Sequence, residues 1–196
     1  VTNIGEGAFY LCEGLEHIEI PNSVTGVGSG VFSHCTKLRS VTIPTSLTYI
    51  REGMFYNCSS LENITIPGSV KSIGYSAFYC CRSLKSITIP NSVTDIGEEA
   101  FYGCSGLTSI SVPNSISVIR KRVFFSCTSL KNITISGNVT SIENEGLFGC
   151  TGLSVIQFQG TKSQWMALRK YSSWNGATGN YCLLYTSDAA DDSLRV

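Results

Sequence analysis

Charge is scarce in this chain and balanced where it occurs. Of 196 residues, 14 are Lys or Arg and 14 are Asp or Glu, so the net charge is zero, and the charged share of 14% falls below the roughly 25% of ordinary soluble domains. Without a field of one sign there is nothing to hold a polyanion, and no nucleic-acid partner is expected. Long hydrophobic runs are missing too: no stretch approaches the ~18 apolar residues of a membrane-spanning helix, so no membrane insertion is expected of this segment. Metal-binding and catalytic spacings are also absent, with no C-x₂-C pair and no G-x-S-x-G turn. An apolar content of 42% nevertheless excludes a disordered chain.

What is abundant recurs. Cys12, Cys35, Cys58, Cys81, Cys104, Cys127 and Cys150 repeat with a period of 23, without insertion or deletion, and take seven of the nine cysteines. Leu15, Leu38, Leu61, Leu84, Leu107, Leu130 and Leu153 form a second column, and Phe9, Phe32, Phe55, Phe78, Phe101 and Phe124 a third that ends at Leu147. All five prolines share one column, Pro21, Pro44, Pro67, Pro90 and Pro113. The unit reads L-x-x-I-x-I-P-x-S-V-T-x-I-G-x-x-A-F-x-x-C-x-x over residues 1–158, which predicts a repeat architecture before any element is assigned.

Each column has a physical role. In Leu61–Ile66 apolar and polar residues alternate with period two, the pattern of a half-buried strand, and Pro67 ends it because it has no N–H for a ladder. A second extended piece, Val70–Ile73, leads to a bend at Gly74. Ala77, Phe78 and Cys81 then fall on one apolar face of a single helical or 3₁₀ turn. One repeat offers too few apolar side chains to offset the ordering of its own backbone, so like columns must pack between neighbouring turns, about 4.8 Å apart.

These columns resemble the BspA-type leucine-rich repeat, a class found in surface proteins of anaerobic bacteria and some parasitic protists. The resemblance implies a solenoid, a right-handed β/α superhelix with a parallel sheet on one face, short helical or 3₁₀ turns opposite, and a capping helix at the C-terminal end. Arg51, Arg120 and Glu143 depart from the pattern at the glycine position and Ser136 at the proline position, where a locally loosened bend is expected.

The cysteine ladder reads as buried thiols that pack as small hydrophobes, because parallel Cα–Cβ vectors disfavour the ~90° disulfide torsion and no zinc spacing occurs. His17 and His34 stand at unrelated columns and read as surface histidines. No nucleophile is singled out, so no enzyme activity, metal or cofactor is expected. Arg120-Lys121-Arg122 is the strongest charge run, positioned to pair with Gly97-Glu98-Glu99 one turn earlier. Four glycosylation sequons, at Asn57, Asn63, Asn132 and Asn138, follow from the Ser and Thr content alone.

Recognition is expected on the outward strand positions. One column runs His17, Ser40, Asn63, Ser86, Ser109, Asn132 and the other Glu19, Thr42, Thr65, Thr88, Ser111, Thr134, giving a flat array of small hydroxyl and amide groups. Threonine is also favoured in strands for its β-branching alone. A flanking column, Glu16, Arg39, Glu62, Lys85, alternates in charge and suits contacts between neighbouring turns. The aromatic stripe Tyr10, Tyr56, Tyr79, Tyr102, Phe125, Phe148 is a competing surface that reads first as the outer edge of the core.

After Phe158 the period stops. Thr161 and Gln164 form a capping box ahead of a helix carrying Trp165 and Leu168, so residues 159–181 read as a C-terminal cap, and this segment resembles the terminal cap of gut-bacterial members of the family. That resemblance implies a closing strand past Tyr181, which the sequence does not supply. Residues 182–196 instead resemble the read-through translation of a transposase adapter used in DNA sequencing libraries, the mark of a truncated metagenomic read, and few contacts are expected of them. At the other end the chain enters mid-repeat at Val1, and an upstream extension with any secretion signal is expected.

Together these readings predict a non-enzymatic binding or adhesion module of a cell-surface or secreted bacterial protein, with a protein or glycan ligand. A structural spacer, or a repeat region appended to an enzyme domain elsewhere in the protein, is the alternative.

Overall fold

The computed structural model describes residues 1–186. Within them the chain winds through eight turns whose backbones pair in parallel along two ladders. The longer ladder joins His17–Glu19, Ser40–Thr42 and Asn63–Ile64, and, separately, Ser109–Val112, Asn132–Ser136, Val155–Gln159 and Cys182–Tyr185. A single bridge, Ser86 to Ser109, is all that the intervening turn contributes. The second ladder uses two-residue strands: Asn3–Ile4 with Gly26–Val27, Tyr49–Ile50 with Ser72–Ile73 and Asp95–Ile96, and Val118–Ile119 with Ser141–Ile142 and Arg169–Lys170. Through the regular turns every register pair keeps the period of the sequence columns, as in Ser40 with Asn63 and Asn132 with Ser109.

The columns meet inside the coil. Successive phenylalanines from Phe9 to Phe124 stack with ring centroids 5.2–5.7 Å apart and planes within 17° of parallel. Leu38, Leu61, Leu84, Leu107 and Leu130 are fully buried, as are Cys35, Cys58, Cys81, Cys104, Cys127 and Cys150. Phe9, Cys12 and Leu15 of the first turn are half-buried. None of the nine cysteines is in a disulfide. Each buried thiol instead donates to the carbonyl of the phenylalanine one turn back, at 3.0–3.2 Å, as Cys58 does to Phe32 and Cys104 to Phe78. The carbonyl of Phe32 also accepts the N–H of Cys35 at 3.1 Å, so a small apolar side chain with one weak donor satisfies its second lone pair.

The segment opposite the sheet is not helical, contrary to the sequence expectation. Its N–H groups alternate: those of Tyr56 and Cys58 close local turns onto Gly53 and Phe55 at 2.9 and 3.1 Å, while those of Gly53, Phe55 and Asn57 reach the carbonyls of Tyr75, Ala77 and Tyr79 in the next turn at 2.7–2.9 Å. Two left-handed residues per turn, such as Gly53 at φ 57° and Asn57 at φ 55°, rotate alternate amides outward and prevent a 3₁₀ run.

Gly28, Gly74 and Gly97, in the column expected to form a bend, are not left-handed. A Cβ there would lie within 2.6 Å of a backbone nitrogen of the preceding turn, so glycine permits close stacking. At two of the three departures from glycine, Arg120 and Glu143, the side chains tie turns together. Arg120 Nε donates to Asp95 at 2.9 Å, and the Glu143 carboxylate accepts the N–H of Lys121 at 2.9 Å. Ser136, unlike proline, supplies an N–H, and its strand continues through the register pair with Gln159; its hydroxyl donates to Asn114 at 2.7 Å.

The eighth turn is irregular in sequence and regular in its backbone pairing. Its register intervals are longer than the repeat, with Ser141 paired to Arg169 and Val155 to Cys182. The added residues hold a helix, Lys162–Ala167, opened by the expected capping box of Thr161 and Gln164. Trp165, 5% exposed, packs edge-on to Phe158 and Trp174 with ring centroids 5.3 and 6.0 Å away. Lys170 folds back over the Trp165 ring at 4.7 Å and donates to the Trp165 carbonyl at 2.6 Å.

Two expectations for the C-terminus fail here. A strand does follow Tyr181, and Cys182–Tyr185 pairs with Val155–Phe158 instead of lying free of the coil. Leu183 and Tyr185 alternate inward and pack against the core, while Cys182 and Leu184 face outward. An open sheet edge accepts any extended segment with this alternation. The remaining tail, 187–196, lies outside the described residues.

Candidate functional site

Strand alternation puts the two outward columns on one face because Val41, Ile64, Ile87, Ile110 and Ile133 between them point inward and are no more than 8% exposed. Ser86, Thr88, Ser109, Ser111, Asn132 and Thr134 come together around a groove of about 530 Å³. Asn63 and Thr65 join Ser86 and Thr88 at a smaller recess of about 240 Å³. His17, Glu19, Ser40 and Thr42, on the first turns of the ladder, lie outside both, and His17 is hydrogen-bonded to Ser40 at 2.8 Å. Both depressions adjoin Ser86–Thr88, where the ladder is reduced to one bridge.

Three residues that the sequence reading did not single out close the larger groove: Asn91, Asn114 and Gln159. Two of them directly follow Pro90 and Pro113, so the proline column was the available signal for where the strand face ends. No lining residue carries a charge. The groove therefore offers neutral donors and acceptors and no titratable group to move a proton.

The other chemistry-bearing residues are occupied structurally. Burial pushes the Cys35 thiol up to about 11 and those of Cys58, Cys81, Cys104 and Cys127 upward as well, which keeps them protonated and unreactive at neutral pH. Among the described residues no group of three His, Cys, Asp or Glu is arranged to hold a metal ion. No helix among them is long and apolar enough to cross a membrane. His34 is not the plain surface residue expected: it is half-buried, with Tyr10 and Tyr56 on either side at 5.6 and 5.4 Å.

The anticipated charge pairing is present. Arg122 reaches Glu99 at 3.5 Å, and Arg39 bonds Glu62 at 3.0 Å in the alternating column. The aromatic stripe is a stack, with Tyr56, Tyr79, Tyr102, Phe125 and Phe148 spaced 4.5–5.2 Å apart and within 9° of parallel.

Among solved structures, a leucine-rich repeat protein of T. pallidum matches with 32% identity and a TM-score of 0.72, over 78% of this chain and 72% of that one. A leucine-rich repeat protein of Bacteroides ovatus gives 28% identity and a TM-score of 0.72, and a leucine-rich cell surface protein of Faecalibacterium prausnitzii 31% and 0.65. The chain covers 95% and 86% of its own length in these two matches but spans only 59% and 54% of theirs. No curated protein matches the chain. The family model for the BspA type leucine-rich repeat region matches in six copies across residues 1–97 and 48–168. With its repeat, parallel ladders and solved neighbours in agreement, the chain belongs to the BspA-type leucine-rich repeat family.

Proposed function

We propose that this solenoid is a non-catalytic interaction module of a cell-surface or secreted bacterial protein, and that it holds a protein or glycan through its sheet face. The observation that carries this reading is the uncharged groove in which Ser86, Thr88, Ser109, Ser111, Asn132 and Thr134 converge from three successive turns. Small hydroxyls and amides on a rigid ladder lose little side-chain entropy when they bond a partner, and they match the spaced polar groups of a saccharide or a peptide backbone. Surface localisation is supported by the similarity to the cell surface protein of F. prausnitzii. The helix Lys162–Ala167 serves as a cap in this reading, its Trp165 packing on Phe158 of the strand Val155–Gln159.

The test replaces Thr65, Thr88 and Ser111, all exposed, by lysine. Retention on a panel of immobilised glycans and extracellular proteins is expected to fall to background while thermal unfolding is unchanged. Undiminished retention would move binding off this face.

A further inference from the structure

The face opposite the sheet carries a second groove, of about 800 Å³, on the N-terminal half of the coil. Gly7, Gly30 and Gly53, at φ 58°, 61° and 57°, form its floor. Tyr10, Tyr56 and Tyr79 make one wall, in which Ser33 stands where the aromatic column omits a ring, and Glu6 and Glu52 stand on the other. Glu99 closes the end. A Cβ built on any of the three glycines would meet nothing nearer than 3.6 Å, an ordinary contact distance, so the floor has room for a side chain.

The same column is filled in the C-terminal half. It continues as Ser76, Glu99, Arg122 and Glu145 at φ 49–59°, which shows that this backbone accepts side chains despite the left-handed conformation. Arg122 lies there with Nε 2.6 Å from Glu145, a terminal nitrogen 3.5 Å from Glu99, and its guanidinium carbon 5.9 Å from the Phe125 ring centre. The coil thus shows which group suits the column: a guanidinium between two carboxylates and against an aromatic ring. In the open half that column is bare; two carboxylates with the same two-turn separation, Glu6 and Glu52, stand in the adjacent column, the tyrosine rings remain, and no guanidinium is present. Among the described residues Glu6 and Glu52 take part in none of the four ion pairs.

We propose that this groove binds an arginine side chain presented by a partner protein. Glu6 and Glu52 pair with the guanidinium from the adjacent column, and the Tyr10 and Tyr56 rings, one turn to either side of Ser33, are the rings nearest it. Arginine is favoured over lysine because its planar fork bonds two carboxylate oxygens at once and stacks on a ring, whereas an ammonium is a more strongly hydrated point charge. The site is on the other face from the sheet groove and stands independently of the function proposed for it.

The experiment titrates the whole chain with fluorescently labelled tetra-arginine amide at low ionic strength, with tetra-lysine amide and the neutral saccharide maltohexaose as comparisons. Saturable binding of tetra-arginine, at least fivefold tighter than tetra-lysine, is expected, with no binding of maltohexaose. Gly30→Arg places the chain's own guanidinium in the groove and is expected to weaken the peptide at least tenfold. Glu6→Gln with Glu52→Gln, both exposed and outside the core, is expected to do the same should Gly30→Arg fail to fold. Glu16→Gln with Glu62→Gln, an equal loss of charge elsewhere, is expected to change affinity less than twofold. Absence of saturable binding, equal affinity for tetra-lysine, equal weakening by both glutamine pairs, or binding of maltohexaose in place of the peptide would each overturn the proposal.

Discussion

The seven regular turns and the eighth hold the same backbone ladders by different means. In the regular turns, side chains of one type lie on one another at a fixed interval, and each turn is sealed by its neighbours. The eighth stretches that interval, inserts a helix and packs Trp165 on Phe158. What defines a turn is therefore the parallel hydrogen-bond register, and the repeated sequence is the means by which most turns fill the space inside it. Such a coil has nearest-neighbour energetics, so damage in the middle severs two interfaces and damage at an end only one.

The largest effect that separates the two regions is expected from alkaline pH. An unfolded thiol releases its proton at about pH 8.5, whereas Cys35 holds its proton to about 11, and Cys58, Cys81, Cys104 and Cys127 are also shifted upward by burial. Folded pKa values raised above unfolded ones give a contribution complete below about pH 8.5 and lost as pH rises, by up to about 1.4 kcal/mol per pH unit for each thiol. Urea unfolding at pH 7, 9 and 10 is expected to show a steep fall, and Cys58→Ala with Cys81→Ala and Cys104→Ala to flatten it. The eighth turn, whose one cysteine is exposed, holds no buried thiol.

Next in size, Phe78→Ala should cost about 3–5 kcal/mol in urea unfolding, as deletion of a fully buried ring does. Trp165→Ala at the end should cost less than half of that and leave slow hydrogen exchange in the middle turns intact, because only local opening is affected. Equal losses of protection everywhere would show that the eighth turn and the interior unfold as one block. Smaller again is the effect of glycine. Gly74→Ala forces a Cβ to 2.6 Å from the Glu52 nitrogen and should cost about 1–3 kcal/mol, whereas Gly68→Ala, with no atom within 4 Å, should stay within about 0.5 kcal/mol.

The regular turns were legible because their signal is additive: Cys, Leu, Phe and Pro columns each carry the same period, and strand alternation in Leu61–Ile66 fixes which residues face inward. The outward columns follow from that alternation, so Ser86, Thr88, Ser109 and Ser111 could be placed on one face. Three features were not legible, and each depends on a neighbour in space. The Ala77–Cys81 segment has the spacing of a helical turn, but its alternate amides are claimed by the adjacent turn. The glycine column resembles a bend signal, yet Gly74 answers to the backbone of Glu52. The strand after Tyr181 exists because an unpaired edge at Val155–Phe158 accepts it. The groove around Gly30 left a trace in the sequence, as Ser33 breaks the tyrosine stripe and Gly7, Gly30 and Gly53 share a column, but its meaning depended on Arg122 filling the same position further along.

Like side chains stack from turn to turn and enclose the thiols. Brief alkylation of the native protein with iodoacetamide at pH 7.5, followed by peptide mapping, reads that enclosure thiol by thiol. Modification is expected at Cys182, then at the half-buried Cys12 and Cys80, with Cys35, Cys58, Cys81, Cys104, Cys127 and Cys150 labelled only after denaturation. Rapid labelling of Cys58, Cys81 or Cys104 in the folded protein would contradict the stacked-column architecture.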